Sequence, residues 1–174
     1  HNHAITAPER VLYVSGMLLS MQDLKDENGT TVKAGLTPED LRGINLSGSR
    51  DGDVIVRHIT DYLTLKNIPR EKLSLMLASF NKIKDDPDRD IPATPLKQVA
   101  RFIDGNASTN KQIFTYIFET IYKSIDSMAG HIDIMGEMYS EFLKYALGDG
   151  GELGIVLTPP YITKMMSQIL DVNP

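Results

Sequence analysis

Residues 108–125, STNKQIFTYIFETIYKSI, decide the fold. Ile113, Phe114, Ile117, Phe118, Ile121, Tyr122 and Ile125 recur at helical spacing and cover more than half of a helix circumference. Ser108 or Asn110 supplies the cap. A helix this apolar must be central, and the segments around it are its packing partners.

Immediately upstream, Thr94 and Pro95 open a predicted helix with Leu96, Val99, Ala100 and Ile103 inward and Gly105 as its stop. Before it, residues 84–92 (KDDPDRDIP) are charged and proline-broken, which predicts a solvated loop open to proteolysis. Pro69 starts another helix, with Leu73, Met76, Leu77, Phe80 and Ile83 as its apolar stripe. Ile55, Ile59, Tyr62 and Leu63 mark a helix ending near Asn67, after a loose loop over 43–52. Thr37, Pro38, Glu39 and Asp40 read as the cap and acidic first turn of a short helix. Asn28 and Gly29 signal a turn or small hairpin through Thr30, Thr31 and Val32. The first helix runs from a Thr6/Glu9 capping box through Val11, Val14, Leu18 and Met21 to about Leu24.

Downstream of a break near Gly130, the helical period returns in Ile134, Met135, Met138, Tyr139, Phe142 and Ala146. A glycine-rich linker follows at 148–154 (GDGGELG), then a short strand candidate, Ile155 to Leu157. Thr158 begins a last helix through Ile162, Met165, Met166, Ile169 and Leu170. The expected architecture is an all-α, irregular multi-helix bundle of about seven helices without a convincing sheet.

The 174 residues carry 18 Lys+Arg against 23 Asp+Glu, a formal charge of −5. That balance is a poor match for a self-sufficient nucleic-acid binder, which needs a basic excess to displace counterions from phosphates. With no cysteine there is no disulfide framework, thiolate metal site or cysteine nucleophile, and the expected location is the cytoplasm. The longest apolar stretch, Val11 to Met21, is interrupted by Ser15, Gly16 and Ser20, so no membrane segment is expected. The first residue is His rather than Met, which predicts a chain trimmed from something larger.

Most candidate sites have a plain structural reading. His58 and His131 lack a second ligand at i+3 or i+4, and His1-Asn2-His3 is a terminal tripeptide rather than a dispersed constellation. Asp85, Asp86, Asp88 and Asp90 lack the glycine and terminal glutamate of a calcium loop and read as solvated. Gly148 and Gly150 begin a G-x-G, but Leu153 occupies the third glycine of the dinucleotide fingerprint. The Met residues at 135, 138, 165 and 166 read as core.

Leu157-Thr158-Pro159-Pro160-Tyr161 is more informative. Thr158 cannot replace the Asn or Asp that precedes Pro-Pro-Tyr in amine-methylating enzymes, because its hydroxyl lacks the carbonyl acceptor. As an N-cap followed by two prolines, it leaves the Tyr161 and Ile162 amides at the positive end of a helix.

Together with Asp133, Ile134, Met135, Gly136, Tyr139 and Phe142, the stretch from Gly154 to Met166 resembles the modification subunit of type I restriction-modification systems and related N6-adenine DNA methylases. The resemblance is specific over 133–166 and topological over 4–130. It implies a helical domain over residues 1–150, and over 151–174 the linker and first helix of a catalytic domain that uses S-adenosylmethionine. Carried over, Thr158 is the first-choice cofactor contact, Pro159 shapes its turn and Tyr161 lines the rim; Leu157 stands where many relatives have an aromatic residue. The family's D-x-x-x-G-x-G and N-P-P-(Y/F) motifs are absent from these residues, so no catalytic residue is assigned and no methyl transfer by the chain alone is expected.

The resemblance further implies DNA as partner, with the specificity and restriction subunits of the same system, and a role in clamping DNA and docking those subunits. Lys82, Lys84, Lys111 and Lys123 are the candidate phosphate contacts, each with a solvated helix face as its plain alternative. The competing functional reading is a non-enzymatic helical protein–protein interaction module.

Overall fold

A computed structural model describes residues 7–126. The capping pair at Thr6, the segment after Asp126, the boundary at residue 150 and the sites at Thr158, Pro159 and Tyr161 involve residues outside the described ones.

The 108–125 stretch is helical as its period requires. Helix α4 (Thr109–Ile117) runs through a π turn (Phe118–Tyr122) into α5 (Lys123–Asp126). Phe114, Ile117 and Ile121 are fully buried, while the rings of Phe114, Phe118 and Tyr122 stack in series at 6.2 and 5.2 Å. Ser108 is the cap, and its hydroxyl accepts the Lys111 amide at 3.0 Å.

Helix α1 (Ala7–Ser20) packs against α2 (Asp51–Thr64), α3 (Arg70–Phe80) and α4. Every residue from Leu12 to Met21 is buried, so α1 is enclosed on all sides rather than on the single stripe its period shows. Gly16 makes this possible: a methyl there would meet Ile83 Cδ1 at 2.8 Å and the Phe80 ring at 3.0 Å. Ser20 satisfies its buried hydroxyl by donating to the Met17 carbonyl at 2.7 Å. Met76, Phe80 and Ile83 complete the core from α3 and the turn after it; Leu73 and Leu77 reach only its margin.

The architecture is largely helical but not all-α, because two short antiparallel sheets replace the expected absence of strands. In the first, β1 (Leu24–Lys25) pairs with β2 (Thr31–Lys33), Leu24 opposite Lys33, around the Asn28-Gly29 turn. Gly29 takes φ +80°, and Asp26 Oδ1 accepts the Asn28 and Thr30 amides at 2.9 Å each. The second pairs β3 (Pro92–Ala93) with β4 (Ala107–Ser108) and closes the 94–106 loop just before the α4 cap.

The expected helix over 94–103 does not form. Lys97 to Phe102 make successive turns, and Leu96, expected inward, is 44% exposed. The backbone groups that would start that helix are engaged by Gln112: its Oε1 accepts the Leu96 amide at 3.0 Å and its Nε2 donates to the Ala93 and Thr94 carbonyls. The 37–40 segment is a 3-10 turn (Pro38–Asp40), its entry fixed by the Asp40 carboxylate accepting the Thr37 amide at 2.8 Å. Among the described residues no helix is long and apolar enough to cross a membrane.

Candidate functional site

The first turn of α4 gathers three separate stretches of chain through alternate polar side chains. Ser108, Asn110 and Gln112 are each at most 2% exposed, positions where an unsatisfied polar group costs about 1–3 kcal/mol. Ser108 Oγ donates to Asp51 Oδ2 at 2.7 Å, and Asp51 Oδ1 accepts the Gly43 amide at 3.0 Å. Asn110 Nδ2 donates to the Ile83 carbonyl at 3.0 Å and to Asp90 Oδ1 at 2.9 Å. Gln112 Nε2 also donates to the Ala107 carbonyl at 3.0 Å. One helix end thereby fixes the loop before α2, the turns after α3 and the loop before β4.

Asp90 closes the hub by accepting the Gly52 amide at 2.9 Å. It is not the solvated residue that its neighbours predict: burial raises its pKa above the ordinary aspartate value, against the hydrogen bonds from Asn110 and Gly52, with Asp51 and Asp53 adding to the rise. Segment 84–92 is correspondingly tied down. Asp86 Oδ1 accepts the Asp88 amide at 3.1 Å and caps a 3-10 turn (Pro87–Asp90), and Arg89 hydrogen-bonds the Tyr13 hydroxyl.

The lysines divide around this hub. Lys82 and Lys84 are exposed on the turns after α3, and Lys111 is half-buried in the first turn of α4. A methyl at Gly52 would meet Lys84 Cα at 2.9 Å and Asn110 Nδ2 at 3.0 Å, so Lys84 and the residue before Lys111 flank one point. Lys123 lies twelve residues along the same helical rod, about 18 Å away at 1.5 Å per residue. There it pairs with Glu119 at 2.8 Å and sits 5.5 Å from the Phe118 ring centroid. Residues 82–90 carry Lys82, Lys84 and Arg89 against Asp85, Asp86, Asp88 and Asp90, and Arg89 lies 3.5 Å from Asp86, so this segment has no basic excess.

Among the described residues no three His, Asp or Glu side chains converge to hold a metal ion. His58 is a core residue: its Nε2 lies 2.7 Å from the Gln22 carbonyl oxygen, and it is 0% exposed.

Sequence reasoning missed Asp51, Asp90, Asn110 and Gln112 as a unit. The available signal was a run of polar residues, Thr109, Asn110, Gln112 and Thr115, entering the inward side of the most apolar helix.

No protein-family model and no solved structure matches the chain. Among curated proteins it is similar to the "Type II restriction enzyme and methyltransferase RM.BcgI" of Heyndrickxia coagulans, 32% identical over 139 residues. That alignment covers 76% of this chain and 20% of that protein, so the chain is related to a restriction-modification methyltransferase and spans about one fifth of its length.

Proposed function

We propose that the chain is the helical N-terminal domain of an adenine-specific DNA methyltransferase subunit of the type I restriction-modification class. The whole protein would act in the cytoplasm and transfer a methyl group from S-adenosylmethionine to adenine N6. The observation that carries this reading is the 32% identity to a protein whose name joins a restriction enzyme with a methyltransferase. The motif resemblance over 133–166 supports the finer assignment, with Thr158, Pro159 and Tyr161 at the cofactor rim.

Within that protein the described domain docks the specificity and restriction subunits and adds local phosphate contacts from Lys82, Lys84 and Lys111, with Lys123 further along the helix. Two features support docking as the larger share. The 82–90 segment carries no basic excess, and the hub ties the amino ends of α2 and α4 to the turns after α3 through directional hydrogen bonds, which favours one arrangement of these elements.

Labelled S-adenosylmethionine and DNA test the reading. The 174-residue chain should transfer no methyl group, whereas the full-length protein carrying it should label adenine N6 and retain the specificity subunit on a column. Methylation by the chain alone, or a full-length protein that leaves adenine unlabelled, overturns the proposal.

A further inference from the structure

The β1–β2 ribbon projects from the body of the domain. All ten residues from Lys25 to Ala34 are exposed, and Val32 is 68% exposed. Its tip is internally tied through Asp26, so its attachment depends on its root. There Leu24 and Leu36 are buried, the Leu36 amide donates to the Ser20 carbonyl at 2.9 Å, and the Gly35 amide donates to Asp23 Oδ1 at 2.8 Å. Gln22 is held to α1 by its Nε2 donating to the Leu18 carbonyl at 2.9 Å, and a tether to α2 is the 2.7 Å contact between His58 Nε2 and the Gln22 carbonyl.

A carbonyl oxygen only accepts, so Nε2 must carry the hydrogen. In the neutral ring Nδ1 is then a bare lone pair. That atom is buried and has no hydrogen-bond partner. Adding a proton there creates a second N–H and a positive charge in a closed site with no acceptor, which favours moving the ring into water.

We propose that His58 is an acid-sensitive latch: the neutral ring secures the ribbon root to α2 through Gln22, and the protonated ring leaves its site and loosens the ribbon's attachment, so that the ribbon opens more often. Three charges act on the ring. Lys33 of the ribbon opposes protonation, while Asp23 in the α1–β1 link and Asp61 on α2 favour it. Burial is the largest influence and outweighs the Gln22 hydrogen bond, which like the two aspartates favours the charged ring, so the His58 pKa lies below its ordinary value of 6.5. Release stays local, because a segment with few buried contacts opens at lower cost than the core helices.

Amide exchange of the 174-residue chain, corrected for intrinsic rates, tests this from about pH 8 to about pH 5, a range spanning the ordinary histidine value. Exchange at Gly35, Leu36 and the ribbon should rise by up to about tenfold per pH unit below the His58 midpoint, the limit for one coupled proton. Amides of α4 should not follow. In His58→Gln the side-chain amide can still donate to Gln22 but does not titrate, so the acid response should vanish. An unchanged response in that variant, or α4 opening together with the ribbon, overturns the latch. Should the variant fail to fold, ring titration by NMR in the unaltered chain decides: its midpoint must coincide with that of ribbon release, and a mismatch or a flat exchange profile overturns the proposal.

Discussion

Asp90 and Asn110 meet through a 2.9 Å hydrogen bond, and because the same Asp90 oxygen accepts the Gly52 amide, one carboxylate joins the amino ends of α2 and α4. Ser108 and Asp51 make a parallel link at 2.7 Å. Two helix ends are thus held in register by polar contacts, a task that apolar packing performs less specifically because it lacks direction.

Replacing Asp90 separates its roles. Asp90→Ala leaves the Gly52 amide and Asn110 Nδ2 without their acceptor and should cost about 1–3 kcal/mol in urea unfolding. Asp90→Asn keeps an acceptor oxygen and removes the buried charge, so at neutral pH it should be the milder change of the two. Equal losses in both variants would show that the charge, rather than the hydrogen bonding, holds the hub.

Stability should depend on pH with two opposing contributions. The folded-state pKa of His58 is lowered, so the unfolded chain takes up its proton first and stability falls as pH drops through 6.5 toward the folded value. The pKa of Asp90 is raised above 3.8, so the folded state takes up that proton first. Its carboxylate costs stability at neutral pH, and the cost is relieved as pH falls through the folded value toward 3.8. Urea midpoints measured across the acid range should therefore fall more steeply at the low end in Asp90→Asn than in the unaltered chain.

Two glycines should respond differently to alanine. At Gly52 the new methyl meets Lys84 Cα at 2.9 Å, a backbone atom that can move only with its chain, and the expected loss is about 1–3 kcal/mol. At Gly16 the nearest atom is Ile83 Cδ1 at 2.8 Å, the free end of a flexible side chain. The Phe80 ring at 3.0 Å must give as well, but both neighbours are side chains rather than backbone and alanine favours the helix, so Gly16→Ala should lose less than Gly52→Ala in a thermal melt.

The apolar repeats made α1 to α4 legible, and local chemistry placed the α4 cap at Ser108 and the turn at Gly29, φ +80°. These features depend on neighbours in sequence. The 94–103 segment has the same kind of repeat and is not a helix; its backbone is instead bonded to Gln112, 16 residues beyond Leu96. Asp90 likewise shares its setting with Asp85 and Asp88, which are exposed, yet its partner lies 20 residues away. Periodicity reports which side of an element is apolar and carries no information about which distant side chain claims its backbone.

The lysines provide a direct test of phosphate contact. Each phosphate neutralised by a cation adds about 0.9 to the slope of log affinity against log salt for duplex DNA. Lys82 and Lys84 are exposed, and Lys84 lies beside the Asn110–Lys111 turn, so Lys84→Ala and Lys111→Ala should each reduce the slope by about one if that face touches the backbone. Lys123 is already engaged with Glu119 at 2.8 Å and with the Phe118 ring, and its removal should change the slope less. The neighbouring aspartates set the scale of the effect: residues 82–90 carry four carboxylates against three cations, so affinity should be weak even at low salt. Titration of a labelled duplex at several salt concentrations measures both quantities. Slopes that are identical in the unaltered chain and both variants would remove this face from DNA contact and leave subunit docking as its function.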